Sequence, residues 1–155
     1  MRTVTHQKRK SQKVRKRENN TIILAYFGAG KTTVASTSDT VYDWTYSLMQ
    51  PKLEELEYGL ENYDTILCDP NCLPILQDNG LKFHIVVPTE DRLEEFKANL
   101  RKRFRAHKGT GAESFIKNIE SNWKGLIAEL KSTPCLSLTE LNNGQYLADV
   151  IKKFE

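Results

Sequence analysis

A short stretch of glycine, lysine and threonine follows the first apolar run of the chain, and its spacing is that of a phosphate-binding loop. The run TIIL (residues 21–24) leads directly into AYFGAGKTT (residues 25–33). The general pattern is G-x-x-x-x-G-K-[ST], and Ala25 stands where the first glycine of the pattern is found. An alanine at that position requires only ordinary backbone angles at the end of a strand. The stretch therefore reads as a strand, a phosphate loop and a helix.

Each residue type in this loop has a chemical use. Gly28 and Gly30 allow positive φ and a close approach of the backbone to an anion. The loop N–H groups and the start of the next helix would then point at phosphate oxygens. Lys31 supplies positive charge to the β- and γ-phosphates, and the Thr32 hydroxyl can ligate Mg²⁺. The sequence predicts that ATP and Mg²⁺ bind at Gly28, Ala29, Gly30, Lys31, Thr32 and Thr33.

Two carboxylates follow predicted strands and are candidates for the chemistry of phosphoryl transfer. Asp43 comes after a brief apolar run, and Asp69 comes directly after TILC (residues 65–68). Ligands of open parallel sheets bind at the carboxyl ends of the strands, where both residues would lie. Either residue is a candidate to orient the acceptor or the metal, and Asp69 is also a candidate Mg²⁺ ligand. The pair Asp69-Pro70 is equally typical of a simple turn.

A basic helix before residue 108 is a candidate lid over the phosphates. Arg101 and Arg105 are one turn apart and would share a helical face, and Arg103 lies between them. A guanidinium group suits a pair of phosphoryl oxygens, so one of these three arginines would close over the transferring group. The alternative is a solvated helical face whose basic residues pair with Glu94 and Glu95.

The elements that must position these residues alternate between short apolar runs and helical stretches. This alternation predicts an α/β fold with a parallel sheet. We expect strands near residues 21–26, 40–42, 65–68, 82–87 and 135–138. We expect helices near residues 31–36, 52–61, 71–78, 89–105, 112–130 and 145–154.

Composition and charge describe one domain preceded by a basic arm. The chain has 155 residues, of which 39% are hydrophobic and 28% charged, and its net charge is +3. Residues 1–20 hold eight basic residues and one acidic residue, so this flexible arm carries +7 and the domain at 21–155 carries −4. We see no membrane span and no signal-peptide pattern, and three irregularly spaced cysteines make no disulfide framework. These features predict a cytoplasmic protein.

From residue 21 onward the chain resembles the small P-loop kinases, a superfamily of nucleotide-kinase-like proteins with short members in phages and bacteria. The resemblance rests on AYFGAGKTT, with weaker support from TILCDPN, LQDNGLKFHIVVPTEDRLEEF and NNGQYLADVI. It implies a three-layer α/β/α P-loop NTPase sandwich with a five-stranded parallel sheet in the order 2-3-1-4-5. It also implies adenine near residues 141–144, and the host's cytoplasm as the compartment of a phage-encoded member. No acceptor motif of the adenylate-kinase kind is present.

The sequence leaves three functions open. The first is an ATP-dependent phosphotransferase acting on a nucleoside, a nucleoside monophosphate or a similar small acceptor. The second is a polynucleotide-kinase-like enzyme on nucleic-acid 5′ ends, motivated by the basic arm, which would bind phosphates. The third is a non-catalytic, nucleotide-binding interaction module, which the missing acceptor motif favours.

Overall fold

The structure is a computed structural model. It describes residues 20–44, 51–107 and 112–154, but not the side chains of residues 104–107 and 112. The predicted basic arm at residues 1–20 therefore lies outside the described residues, apart from Asn20.

Five parallel strands form a single sheet in the order β2-β3-β1-β4-β5, which confirms the predicted order and direction. The strands are β1 (Thr21–Ala25), β2 (Val41–Asp43), β3 (Thr65–Cys68), β4 (His84–Pro88) and β5 (Leu138–Leu141). The central position of β1 explains its composition. It pairs with β3 on one side and with β4 on the other, and Ile23, Leu24 and Ala25 are completely buried. Strands covered on both faces read as continuous apolar runs.

Helices connect successive strands in the described part of the chain. They are α1 (Lys31–Ser36), α2 (Leu53–Asn62), α3 (Leu73–Asp78), α4 (Leu93–His107), α5 (Ala112–Ser132) and α6 (Leu147–Val150). Short 3₁₀ turns, at Pro70–Cys72, Glu90–Arg92 and Ile151–Phe154, precede α3, precede α4 and follow α6. The step from β1 to β2 runs in one direction along the sheet and the later steps run in the other. Because crossovers between parallel strands are right-handed, α1 and α2 lie on opposite faces of the sheet.

The long helices α4 and α5 pack against each other and against the loop that joins β1 to α1. Trp123 on α5 packs edge-on against Tyr26 and Phe96, and its indole N–H donates to the carbonyl of Glu90 (2.8 Å). Lys97 on α4 is buried to 7% exposure and binds Glu120 on α5 at 3.0 Å. Buried aromatic contacts and an ion pair therefore hold the two helices together.

The last strand begins three residues later than its predicted start at residue 135. Ile85 pairs with Leu138, and Pro88 pairs with Leu141. In this register Leu141 enters the core, whereas Leu138 is 38% exposed and Leu136 is 55% exposed. The prediction placed the strand at 135–138 because the residues there are apolar. β5 lies at the edge of the sheet, where apolar residues do not mark the strand in the same way. The face of β5 that meets the core carries Thr139 and Leu141.

No helix among the described residues combines the length and the apolar character needed to cross a membrane.

A glycine allows α2 to approach the sheet closely. A Cβ atom at Gly59 would lie 2.5 Å from Tyr42 Cδ2 and 2.9 Å from Ile66 Cδ1. The Tyr42 ring is stacked on Tyr63 with centroids 5.0 Å apart, so it cannot move aside without losing that contact. Gly125 in α5 is different, because a Cβ atom there would meet no atom within 4 Å.

These two glycines give a matched prediction for folding stability. Gly59→Ala should lower the free energy of unfolding by about 1–3 kcal/mol, because the new methyl group overpacks the contact with the sheet. Gly125→Ala should raise it by up to about 1 kcal/mol, because alanine is the better helix former. Urea denaturation of both variants measures the difference. A stabilised Gly59→Ala variant would contradict the close packing of α2.

Candidate functional site

The loop between β1 and α1 has the backbone conformation that its glycines were predicted to supply. Gly28 has φ 83° and Gly30 has φ 102°, both in the left-handed region that side chains disfavour. The Ala29 N–H donates to the carbonyl of Tyr26 at 3.1 Å, which closes the turn. Gly30 is the residue immediately before α1, so the chain passes from the turn directly into the helix.

Several N–H groups of this loop are available to a ligand. In the described part of the chain, no acceptor is hydrogen-bonded to the backbone N–H of Gly28, Gly30, Lys31 or Thr32. Successive N–H groups in such a turn form a concave site with positive partial charge. The loop can therefore donate several hydrogen bonds to a single anion.

A buried cation lies beside these donors. Lys31 is only 5% exposed, and it makes no hydrogen bond or ion pair with any residue that the structure describes. A buried charge that makes no ion pair or hydrogen bond is costly, so the site favours an anion next to this ammonium group.

The Thr32 hydroxyl links the loop to the neighbouring strand and to α4. It donates a hydrogen bond to Asp43 Oδ2 at 3.1 Å. The Arg103 guanidinium approaches the same hydroxyl, with Nη2 at 3.5 Å from Oγ1. The structure thus brings together two predicted site residues, Thr32 and Asp43, with one of the three arginines named as lid candidates.

Asp69 is completely buried at the carboxyl end of β3. Its Oδ1 accepts a hydrogen bond from the Asn71 N–H at 2.9 Å, so it caps the 3₁₀ turn that follows. The pKa of the neighbouring Cys68 thiol is raised, mainly by burial and then by Cys72 and the negative charge of Asp69. The positive charge of Lys31 lowers the same pKa. Asp69 and Lys31 therefore lie near the same thiol, and Asp69 also has the turn role that its sequence context allowed.

Of the other two lid candidates, Arg101 lies away from the loop and Arg105 falls outside the described side chains. Arg101 is 47% exposed and lies 3.9 Å from Glu113 on α5, so it faces a neighbouring helix and not Thr32. Arg105 is in α4, but its side chain is outside the described part of the structure. The pairing with Glu94 and Glu95 that the alternative predicted is present, since Arg92 binds Glu95 and Lys97 binds Glu94, but both cations are buried and do not form a solvated face.

A partly buried polar network that joins α4 to the segment before α6 was not predicted. It consists of Arg92, Glu95, Asn99 and Tyr146, and we call it the Tyr146 network. The Tyr146 hydroxyl donates to Glu95 and accepts from Asn99 at 2.6 Å. Arg92 is 2% exposed and binds both carboxylate oxygens of Glu95, at 2.9 and 2.7 Å.

Arg92 also holds the segment that follows β5. Its Nη1 donates to the carbonyls of Leu141 (3.2 Å), Asn142 (2.9 Å) and Gln145 (2.6 Å). The spacing of Arg92 and Glu95 suits a helical ion pair. No local pattern reveals the contacts to residues about fifty positions later in the chain.

Comparison of the chain with protein-family models, with curated proteins and with solved structures finds no match. The resemblance to small P-loop kinases therefore stays a prediction from the loop residues.

The network yields a prediction for acid stability. Hydrogen bonds from Arg92 and from Tyr146 lower the pKa of Glu95 from 4.5 to about 2. The unfolded chain therefore binds this proton more readily than the folded chain does. The stabilisation from Glu95 is complete above pH 4.5 and is lost as the pH falls toward 2.

Glu95→Gln should consequently weaken the pH dependence of stability between pH 4.5 and 2, as measured by urea midpoints across this range. The neighbouring Glu94 has a side chain that is 81% exposed, so Glu94→Gln is the matched control and should behave as wild type. Equal acid profiles for wild type and Glu95→Gln would show that Glu95 is not coupled to Arg92.

Proposed function

We propose that the loop at residues 25–33 binds the phosphates of a nucleoside triphosphate and that the protein transfers the γ-phosphoryl group to a small acceptor. The finer assignment of the fold, to a P-loop NTPase sandwich of the nucleotide-kinase kind, belongs to the same proposal. It draws support from the five-stranded parallel sheet in the order 2-3-1-4-5 and from the loop at the end of its central strand.

One observation carries the proposal. The N–H groups of Gly28, Gly30, Lys31 and Thr32 and the ammonium group of Lys31 have no acceptor among the described residues, and all of them lie together at the carboxyl end of β1. An anion with several oxygens at adjacent positions satisfies such a set, and the phosphate chain of a nucleotide has this form.

The residues beside the loop fit Mg²⁺. The Thr32 hydroxyl and the Asp43 carboxylate are oxygen ligands 3.1 Å apart, and Mg²⁺ prefers oxygen. The described residues contain no cluster of three or more histidine, cysteine or acidic side chains that could hold a metal alone. A Mg²⁺ ion at Thr32 would therefore share the phosphate oxygens of the nucleotide, and when bound it neutralises part of their charge.

In the proposed reaction the acceptor oxygen forms a bond to the γ-phosphorus while the bond from that phosphorus to the β–γ bridging oxygen breaks, so the nucleoside diphosphate leaves. The proton of a hydroxyl acceptor passes to the carboxylate that orients it. Lys31 and Arg103 supply positive charge to the transferring group, and Asp43 or Asp69 orients the acceptor or the metal. The protein contributes positioning and electrostatic stabilisation.

The decisive experiment is transfer of labelled γ-phosphate from Mg-ATP to a panel of nucleosides, nucleoside monophosphates and 5′-hydroxyl oligonucleotides. A labelled small molecule supports the proposal, and a labelled oligonucleotide favours the polynucleotide-kinase-like alternative. Tight ATP binding without any labelled product favours the non-catalytic binding module. Absence of ATP binding contradicts all three.

Lys31 provides the first specific prediction. Lys31→Met keeps the apolar stem and removes the charge, so the affinity for Mg-ATP should fall by about 10–100-fold. The stability of the ligand-free protein should not fall, because an unpaired buried charge has been removed.

Calorimetric titration and thermal unfolding measure the two effects separately. Lys82 is exposed before β4 at the opposite end of the sheet, so Lys82→Met is the matched control and should bind Mg-ATP as wild type does. Wild-type affinity in Lys31→Met would contradict the assignment of the loop.

The arginines of α4 provide the second prediction. Arg103→Ala should lower the transfer rate by about 100-fold or more, because it removes positive charge beside the transferring group. Arg101→Ala should stay within about twofold of wild type, since its exposed pair with Glu113 contributes little. Single-turnover kinetics with saturating Mg-ATP measures both rates. Equal losses in the two variants would show that the general charge of α4 matters and not the position of Arg103.

A further inference from the structure

One face of α4 extends from the phosphate loop to the segment that follows β5. Side chains three and four positions apart share a side of a helix. On α4 this side carries Glu95, Phe96, Asn99, Leu100 and Arg103. The middle of the face touches the loop, since a Cβ atom at Gly28 would lie 3.3 Å from Phe96 and 3.6 Å from Leu100. Its far end reaches the Thr32 hydroxyl through Arg103.

Tyr146 holds the near end of this face. Its hydroxyl lies between Glu95 and Asn99 and is hydrogen-bonded to both. Its ring is stacked on Phe96, with centroids 5.8 Å apart and planes at 19°. Its Cβ atom lies 3.9 Å from the Cβ position of Gly30, so the same residue borders both α4 and the phosphate loop.

The backbone beside Tyr146 is attached to the loop as well. The N–H of Leu147 donates to the carbonyl of Ala29 at 2.8 Å. The Tyr146 N–H is itself satisfied by Asp149 Oδ2 at 2.8 Å, which fixes the start of α6. The backbone therefore sets the position of Tyr146 relative to the loop, and its hydroxyl sets the position of α4 relative to Tyr146.

We propose that Tyr146 is a positioning residue that keeps α4 in register on the phosphate loop, so that Arg103 meets the γ-phosphate beside Thr32. This inference rests on the proposed function. A helix rises about 1.5 Å per residue, so Arg103 lies about 6 Å beyond Asn99 along the same rigid rod. A small displacement of α4 at Asn99 therefore displaces Arg103 by a similar distance. Arg103 would distinguish ATP from ADP, because only ATP presents a γ-phosphate to it.

The test measures the ratio of the dissociation constants for Mg-ADP and Mg-ATP by calorimetry. Tyr146→Phe removes the hydroxyl and keeps the stacked ring. It should reduce the preference for ATP by about tenfold, toward the value of Arg103→Ala. The affinity for Mg-ADP should stay within about twofold of wild type. The double variant Tyr146→Phe/Arg103→Ala should have the same ratio of dissociation constants as Arg103→Ala alone, because the effects of residues that act as one unit are not additive.

Tyr58→Phe is the control, since Tyr58 is an exposed tyrosine on α2. It should leave the preference for ATP unchanged. The inference would be overturned if Tyr146→Phe kept the full preference for ATP. It would also be overturned if the two substitutions reduced that preference additively in the double variant.

Failure of nucleotide binding is distinguishable from failure of the positioning role, because wild type would then bind neither nucleotide. In that case amide hydrogen exchange in the ligand-free protein decides the positioning role. Nucleotide binding without phosphoryl transfer contradicts only the transferase activity and leaves the comparison of dissociation constants unchanged. Exchange at residues 96–103 should be faster in Tyr146→Phe than in Tyr58→Phe. Equal exchange in the two variants would overturn the role of Tyr146.

Discussion

The contact between α4 and the loop that joins β1 to α1 is the constraint on which the rest of the candidate site depends. Gly28 has no side chain, and a Cβ atom there would lie only 3.3 Å from Phe96 and 3.6 Å from Leu100, so α4 packs closely over the loop. Once this contact is made, the ends of α4 have little freedom. One end is held by Tyr146, and the other brings Arg103 to Thr32. The glycine that gives the loop its positive φ thus also determines how the helix above it is seated.

The electrostatics of the loop oppose stability in the absence of a ligand. Lys31 is buried, and in the described structure neither it nor the neighbouring N–H groups meet an acceptor. Such a site persists because its surroundings are rigid. β1 is covered on both sides by its neighbouring strands, and Tyr26 at the start of the loop packs edge-on against Trp123. Free energy from the apolar core therefore maintains a site arranged for an anion.

The charged face of α4 shows how far a sequence pattern can be interpreted. A run of cations on a helix predicts either a lid or a solvated surface, and the cations in and beside α4 have several different environments. Arg101 is exposed, and Lys97 joins α4 to α5. Arg92, in the 3₁₀ turn before α4, is buried against the carbonyls of Leu141 at the end of β5 and of Asn142 and Gln145 after it. Helical spacing relates these residues to one another, but their roles depend on what packs against each of them.

The sequence by itself determined the features that depend on neighbouring residues. Backbone freedom at Gly28 and Gly30, the apolar run of β1 and the alternation of strands with helices all act over a few positions, so they predicted the loop and the parallel sheet. The strand order came only from the resemblance that the loop residues suggested. Only the tertiary structure decided which arginine reaches Thr32, where β5 enters the sheet, and that Tyr146 joins α4 to the loop. These outcomes join residues that are distant in the chain. They depend on how whole elements pack, and no local pattern of residue types encodes that packing.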